Sequence, residues 1–391
     1  MKSLKDSADP ILIAGGGIGG LGAALALAKH GYPARVLEQA PEFKEVGAGI
    51  QLGPNSWRCL RALGVEAAVK KLAVFPEALV AMDAVTGEHL VSIPLAGFEA
   101  RFKAPYAVIH RADLHNSLLE ACRASNFIAL ETSRQVKSFE DDGETVRIAT
   151  NDGASYATPA FIAADGLWST ARAKLIGDGP PRVSGHISYR SVLPVSDVPE
   201  ELRRWEMVIW CGPKCHMVHY PLRGGELYNL VATFHSNHYE EGWNSYGDPA
   251  ELHERFSGTC DIVRLMLKRI AEWRMWVLCD REPIKLWSKG RVALLGDSAH
   301  PMLQYLAQGA GMALEDSLCL AQCLDDAENV ESAFAAYPMK RYLRTGRVQL
   351  AARLYGEFYH ADGVRRELRN AYVKHASYEG LAWIYDGWDG Y

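Results

Sequence analysis

Residues 15–20 read Gly-Gly-Gly-Ile-Gly-Gly, and this stretch limits the fold more than any other in the chain. An apolar run, Ile11 to Ala14, precedes it, and Leu21, Ala24, Leu25 and Ala28 follow at helical spacing. A second apolar run, Ala34 to Leu37, ends on Glu38, which lies 18 residues beyond Gly20. Strand, glycine turn, helix, strand and acid, in that order, make the unit that binds an adenine dinucleotide. Gly15 permits the tight turn, Gly17 lets the backbone approach a pyrophosphate, and Gly20 lets helix pack on strand. The free N–H groups and the helix dipole at that end attract phosphate, and a carboxylate at Glu38 can accept hydrogen bonds from a ribose. Glycine clusters also occur in plain turns, but here the flanking strands and the acid agree. The unit alone does not distinguish FAD from NAD.

A chain of 391 residues can hold two domains or one large one with an insertion. The formal charge is −5, with no basic run, which argues against nucleic acid or an anionic membrane as partner. No apolar stretch approaches the roughly 18–20 residues of a membrane span. The polar start lacks the apolar core of a signal peptide, so a soluble, cytoplasmic protein is expected. The eight cysteines are scattered without a CxxC pair. Cys319 and Cys323 would share one helix face, but no second ligand pair follows at zinc spacing. They read as small buried hydrophobes, and no metal is expected.

Further along, Asn55 to Leu63 forms a short helical pattern, and residues 79 to 95 alternate like a hairpin with Thr86-Gly87 near its turn. Asp113 is placed to cap a helix whose apolar face carries Leu114, Leu118 and Leu119. Arg111, just before it, is either a solvated cation or a phosphate clamp. Residues 126 to 150 read as strands with a turn at Asp141-Asp142-Gly143. Two more apolar runs end in Gly/Asp turns: one at Asp165-Gly166, with Ser169 and Arg172 in the next helix, and one at Gly296-Asp297. The second leads through Pro301, Gly309 and Gly311 into a helix with Met312, Leu314, Leu318 and Leu320. Three such strand ends point to a shared ligand at the carboxyl edge of one sheet.

Residues 181 to 234 change texture, being rich in Val, Tyr, Ile and Trp, with a turn at Arg223-Gly224-Gly225-Glu226. This reads as an antiparallel hairpin. Alternation puts His216, Val218 and Tyr220 on one face and Met217 and His219 on the other. Such a face suits an aromatic ligand, and an ordinary solvent-facing strand fits the alternation equally well. Residues 248 to 273 look helical. From about residue 360 the tail carries Trp383, Tyr385, Trp388 and Tyr391. That aromatic content is expected to dock on the chain's own body or on the second subunit of a homodimer.

Three motifs, GGGIGG with Glu38, ADGLWSTAR (164 to 172) and GDSAHPMLQYLAQGAGMALEDS (296 to 317), resemble the fingerprints of single-component FAD-dependent aromatic hydroxylases. That class includes para-hydroxybenzoate and salicylate hydroxylases. The runs at 104 to 115, 212 to 226 and 300 to 310 most resemble its 3-hydroxybenzoate 6-hydroxylase branch. Branches acting on salicylate or 6-hydroxynicotinate resemble them less.

The resemblance implies an α/β fold in which a Rossmann-like FAD-binding domain with a mainly parallel sheet is joined to an α+β substrate domain with an antiparallel sheet. The expected partition is 1–75, 100–180 and 285–360 for FAD, 76–99 and 181–284 for substrate, and 361–391 for the tail. It further implies that Gly15, Gly17 and Gly20 lie against the FAD pyrophosphate and that Glu38 binds the adenosine ribose. Arg111 falls near the pyrophosphate and flavin, and Asp297 at the ribityl or pyrophosphate region. Asp165 and Gly166 fall in the element shared with the nicotinamide cofactor. Gly309, Ala310, Gly311 and Met312 line the flavin ring with backbone N–H groups. No second dinucleotide fingerprint is present, in keeping with transient binding of NADH or NADPH.

The reaction so implied is reduction of FAD by NAD(P)H, addition of O₂ at flavin C4a, and delivery of an electrophilic oxygen from the hydroperoxide to a phenolic ring. The expected product from 3-hydroxybenzoate is 2,5-dihydroxybenzoate. His216 is the candidate base, with Gln304 hydrogen-bonding the hydroxyl and Tyr220 and Tyr106 completing the wall. A phenol near pKa 10 and an imidazole near 6.5 differ by about 3.5 units, roughly 5 kcal/mol, so only partial proton transfer is expected. His219 and His300 read as structural. The rival readings are a flavoprotein oxidase of NAD(P)H or an amine, and a non-catalytic dinucleotide-binding regulator.

Overall fold

The computed structural model describes residues 5, 9–45, 48–236, 238, 246–270, 272–388 and 390. The short apolar runs become the strands of a six-stranded sheet. Its order is Ser288–Lys289, Val292–Leu294, Phe161–Ala163, Ile11–Ala14, Ala34–Leu37 and Ile128–Glu131. All neighbours are parallel except the edge pair Ser288–Lys289 and Val292–Leu294. The central strands are apolar on both faces because helices cover both sides, as parallel sheets require. Register aligns Ala14 with Leu37 on one side and with Ala163 on the other, and Ala163 with Leu294. The turn glycine Gly15, the acid Glu38, Asp165 and the Gly296-Asp297 turn therefore emerge along one carboxyl edge. Helix Ile18–Lys29 approaches helix Gly309–Asp326 through glycine, since a Cβ at Gly22 would lie 3.0 Å from Ser317 Oγ.

The texture change at residue 181 marks a second sheet. Its seven strands run in the order Arg274–Asp280, Arg182–Pro194, Leu227–His235, Cys215–Leu222, Met207–Gly212, Ala78–Asp83 and His89–Pro94. Only Met207–Gly212 and Ala78–Asp83 pair in parallel. One face packs Cys215 and Met217 against Leu252, Val263, Met266 and Leu267 of helices Pro249–Arg255 and Asp261–Lys268. His219 belongs to this side and accepts the Trp210 Nε1–H at 3.1 Å. The other face carries Val218, Tyr220 and Leu222 into a cluster with Phe98, Tyr106 and Tyr385. All eight residues of Cys215–Leu222 are buried, so this strand does not face solvent. A three-stranded meander, Val136–Asp141, Val146–Thr150 and Ser155–Thr158, and a two-stranded pair, Gly49–Leu52 with Ala107–His110, complete the sheets.

Two local expectations are corrected. Helix Arg111–Arg123 begins one turn earlier than a cap at Asp113 would allow, with His110 at the N-cap. Asp113 instead takes a two-pronged ion pair from Arg223 at 2.8 and 3.0 Å. Arg111 is the first residue of that helix and pairs with Glu45 at 3.0 Å, so it is not a solvated cation.

The tail docks on the body of its own chain. Tyr385 packs against Phe102, Phe98 and Tyr106 with ring centroids 5.6 to 6.2 Å apart. Arg344 donates to the carbonyls of Trp383 and Ile384, and Arg58 to that of Tyr385. Helix Gly363–Val373 is held by Asp83, buried in the antiparallel sheet, which accepts from Arg366, Arg369 and Asn370. Tyr391 lies outside the described residues. All eight cysteines are free, and Cys319 and Cys323 are buried. No described helix is long and apolar enough to cross a membrane.

Candidate active site

The cofactor cradle is built by glycines that differ in what surrounds them. Gly15 has φ +103°, and a Cβ there would sit 2.2 Å from the Ala164 carbonyl oxygen, so the turn closes directly on the neighbouring strand. A Cβ at Gly20 would fall 1.9 Å from the Gly15 carbonyl oxygen. Gly17 is different: the nearest atom a Cβ would meet is Glu45 Oε1 at 3.6 Å. It is the N-cap of helix Ile18–Lys29, makes no side-chain cap bond, and has no acid in the following turn. The first N–H groups of that helix thus face open space with the positive end of the dipole behind them. Glu38 is fixed beside them, accepting the Gly16 and Ala40 N–H groups at 2.7 and 2.8 Å. Each of its oxygens keeps a second lone pair.

The other carboxyl-edge residues converge on the same edge. Asp165 has one oxygen near the Ala171 N–H at 3.3 Å and the other buried without a partner, and burial raises its pKa. Gly166 takes φ +77°. Asp297 keeps an exposed side chain, yet protein crowds around its carboxylate. That desolvation raises its pKa, against the pull of His300 and Arg111. It approaches the start of helix Gly309–Asp326, a second N-terminus with no side-chain cap and no acid in its first turn. Gly311 lets this helix press on Asn55 and Ser56, a Cβ there lying 2.6 Å from Ser56 Oγ. Met312 is corrected: its N–H donates to the Gln308 carbonyl at 2.8 Å, leaving Gly309, Ala310 and Gly311 as the free donors. These two uncapped helix ends, the orphaned Asp165 oxygen and the unpaired Arg111 Nε suit a long anionic dinucleotide such as FAD.

Behind this edge a buried network fixes the loop. Arg341, fully buried, donates to Glu315 at 2.6 Å and to Asp316 at 2.7 Å. Asp316 also binds His300 at 2.5 Å and the Gly296 N–H at 3.2 Å. Burial would raise the Asp316 pKa, but His300 and Arg341 hold it down at about 2. His300 is therefore a structural partner of Asp316.

The face of the antiparallel sheet carrying His216 forms a polar grid. His186 pairs with His235, Ser188 with Thr233, Thr233 with His216, Arg190 with Val231, and Val231 with Val218. Gln304 lies across it, donating to Ser188 at 3.1 Å and Thr233 at 2.9 Å and accepting from Arg190. Both amide hydrogens of Gln304 are thus engaged, and only an oxygen lone pair remains for a ligand. That lone pair can accept a hydroxyl O–H, the contact the sequence reading expects of Gln304. Arg190 has no carboxylate partner among the described residues. Its Nε is buried and unpaired, and it stacks on Trp276 at 5.0 Å. Burial lowers its pKa to about 10 while Tyr220 pulls it up and Arg111 adds to the lowering. It remains a cation, close enough to the cradle to sense Arg111.

His216 is buried with its Nδ1 2.7 Å from His360 Nε2, beneath the rings of Tyr305 and Tyr359. Burial, then His186, lowers its pKa to about 3. Tyr220 and Tyr106 are buried phenols whose pKa values rise through burial, so they serve as walls and hydroxyl donors. Tyr106 donates to Gln51 at 2.5 Å. Sequence reasoning did not single out Arg190, His186, His235 or His360. Alternation along Arg182–Pro194 carries the signal for His186 and Arg190. His360, more than 140 residues from His216, has no local signal.

Residues 9–348 match the FAD binding domain family. The chain is 45% identical over 382 residues to 3-hydroxybenzoate 6-hydroxylase 1 of Aquipseudomonas alcaligenes, covering 96% of this chain and 97% of that one. It is 34% identical over 346 residues to 6-hydroxynicotinate 3-monooxygenase of Pseudomonas fluorescens, covering 87% and 89%. A salicylate hydroxylase solved with its substrate superposes with TM-score 0.82 at 25% identity, covering 97% of this chain and 96% of that one.

Proposed function

The chain belongs to the FAD binding domain family and is a flavin-dependent aromatic monooxygenase; from that premise we propose that it hydroxylates 3-hydroxybenzoate to 2,5-dihydroxybenzoate. The observation that carries the substrate class is Arg190, a half-buried cation whose Nε is buried and which has no acidic partner among the described residues, on the same sheet face as His216. Two strand spacings, roughly 10 Å, separate their strands. An aromatic ring with a carboxylate toward Arg190 and a hydroxyl toward His216 bridges that interval. Relatives named as 3-hydroxybenzoate 6-hydroxylases at 44–45% identity support this choice over 6-hydroxynicotinate at 34%.

The flavin, when bound, takes a hydride from NAD(P)H and activates O₂, supplying the electrophilic oxygen. The chain's part is to bind, orient and exclude water. The Gly17 helix end and Arg111 hold the pyrophosphate, Glu38 the adenosine ribose, and Asp297 the ribityl chain. Asp165 and Gly166 border the path of the nicotinamide. Gly309, Ala310 and Gly311 aim N–H groups at the electron-rich end of the ring. Arg190 fixes the substrate carboxylate by a charge-assisted bond, and Tyr106, Tyr220, Tyr305 and Tyr359 keep the ring dry. His216 Nε2 receives the phenol hydrogen bond and thereby raises electron density on the ring. A base at pKa about 3 cannot store a proton from a phenol near 10: the gap of roughly 7 units is on the order of 9 kcal/mol.

The FAD-binding segments are 1–75, 100–180 and 285–360, and the substrate segments 76–99 and 181–284. A second copy of the chain covers the exposed apolar residues Leu343, Leu350 and Leu354 of one helix and Val364, Leu368 and Tyr372 of the next. A screen of NAD(P)H oxidation with product analysis tests the reaction. Among hydroxybenzoates and 6-hydroxynicotinate, 3-hydroxybenzoate should stimulate most and yield 2,5-dihydroxybenzoate. Preferred turnover of salicylate or 6-hydroxynicotinate would overturn the assignment.

A further inference from the structure

His216 does not end at the substrate. Its Nδ1 lies 2.7 Å from His360 Nε2, and His360 Nδ1 lies 2.9 Å from His235 Nε2. Three imidazoles are therefore joined nitrogen to nitrogen, from the ring-binding face to a half-buried residue at the end of strand Leu227–His235. Around His235 stand the exposed side chains of Glu357, Lys214 and Arg255, together with Asp362. Neither His216 Nε2 nor His235 Nδ1 has a hydrogen-bond partner among the described residues, so both ends of the chain are open.

We propose that His216, His360 and His235 form a proton relay that carries the substrate's phenolic proton from the buried ring to the protein surface. This rests on the substrate reading above. With each imidazole protonated on Nδ1, His216 donates to His360, His360 donates to His235, and His216 Nε2 accepts from the phenol. As the phenol O–H bond breaks, a bond forms to His216 Nε2. The His216 Nδ1 proton passes to His360 Nε2, the His360 Nδ1 proton to His235 Nε2, and the His235 Nδ1 proton to water. Every imidazole ends neutral in its other tautomer, which satisfies the same two N···N contacts. No site has to hold an imidazolium, the state that burial and the neighbouring imidazoles disfavour at His216 and His360. His186, stacked on His235 at 4.2 Å and bonded to Tyr305 at 2.6 Å, holds the outer member in place.

The test uses FAD-loaded enzyme without NAD(P)H, so no turnover occurs. Enzyme is mixed by stopped flow with 3-hydroxybenzoate, salicylate or 6-hydroxynicotinate in weak buffer containing a pH-indicator dye. Flavin absorbance reports which compound binds, and the dye reports the proton. For the compound that binds, wild-type enzyme should release a proton in step with the flavin change. His360→Gln and His235→Asn should bind with near wild-type affinity but release the proton roughly a hundredfold more slowly. Added imidazole should restore the rate in His235→Asn, where the gap opens to solvent. Binding without release in the wild type, wild-type release rates in both variants, or slowed release that imidazole does not restore would each overturn the relay. So would one tightly bound zinc per chain, because His186, His235 and His360 have nitrogens within 4.8 Å of one another and would then be ligands. Binding of a different phenol in preference to 3-hydroxybenzoate would count against the substrate reading alone, and binding of none would defeat both.

Discussion

On the proposed reading, a substrate carboxylate exchanges its hydration for bonds to the Arg190 guanidinium, which has no acidic partner among the described residues, and such a clamp selects for charge. Arg190→Met should weaken 3-hydroxybenzoate binding roughly 10- to 150-fold while changing binding of the uncharged 3-hydroxybenzamide little. Titrations followed by flavin absorbance check this, and equal losses for both ligands would remove the clamp. His216, proposed to act at the other end of the ring, should on its loss separate two steps. His216→Ala should leave substrate-stimulated NAD(P)H oxidation running but divert most oxygen to hydrogen peroxide, since general-base assistance is typically worth about 10² to 10⁴ in rate. The product-to-peroxide ratio reads this directly, and coupled turnover at wild-type yield would refute it. That His216 and Tyr220 share one sheet face was legible because strand alternation is a local property. The engagement of Gln304 was not, because its partners Ser188 and Thr233 lie 116 and 71 residues away and meet it only through the folded sheet.

Two elements can be probed where geometry distinguishes a ligand contact from a packing contact. Space for a Cβ exists at Gly17 and not at Gly20, where it would sit 1.9 Å from a backbone oxygen. Gly17→Val should therefore give a folded, colourless apoprotein, whereas Gly20→Ala should lower stability itself. Thermal melts and the flavin content of purified protein separate the two, and full flavin in Gly17→Val would defeat the cradle assignment. The tail helix Gly363–Val373 depends on a different contact. Burial alone would raise the Asp83 pKa, but hydrogen bonds from Arg366, Asn370 and the Thr86 and Val85 backbone bring it well below the ordinary 3.8. A depressed folded pKa means that this stabilisation is complete above pH 3.8 and is lost as pH falls below it. Asp83→Ala leaves Arg369 buried beside an empty place and should cost about 3–5 kcal/mol. Limited proteolysis should then cut near residue 360 at neutral pH, as it should in the wild type only under acid. The fingerprint turns were readable in advance because glycine and aspartate mark them locally. The Asp113 cap failed because the acid's partner, Arg223, is 110 residues distant.

At the scale of the whole molecule, the apolar runs revealed both sheets, because parallel strands buried on two faces and antiparallel strands with alternating faces leave different patterns. What no pattern revealed was the order of strands, and with it the joining of His360 to His216. That order also governs which pieces of the chain can bind the cofactor alone. The proposed cradle takes Gly15 to Gly20 and Glu38 from the first unit, Arg111 and Asp165 from the middle, and Asp297 with Gly309 to Gly311 from residues that follow the entire seven-stranded sheet. The strand Val292–Leu294 pairs with Phe161–Ala163 inside the parallel sheet. Helix Gly309–Asp326 packs on the glycine face of Ile18–Lys29, placing Leu314 and Ser317 over Gly22. A fragment of residues 1–180 would expose that face and the edge of Phe161–Ala163 to water. It would keep one uncapped helix end for the pyrophosphate but lose the second, which faces the flavin ring. Such a fragment should be aggregation-prone and should not retain FAD through gel filtration. Adding residues 285–360 in trans should recover part of the yellow colour, because that segment supplies both the missing strand and the missing helix end. Tight FAD binding by 1–180 alone would show that the cradle is complete without the Asp297 loop, and the segmented arrangement would then be wrong.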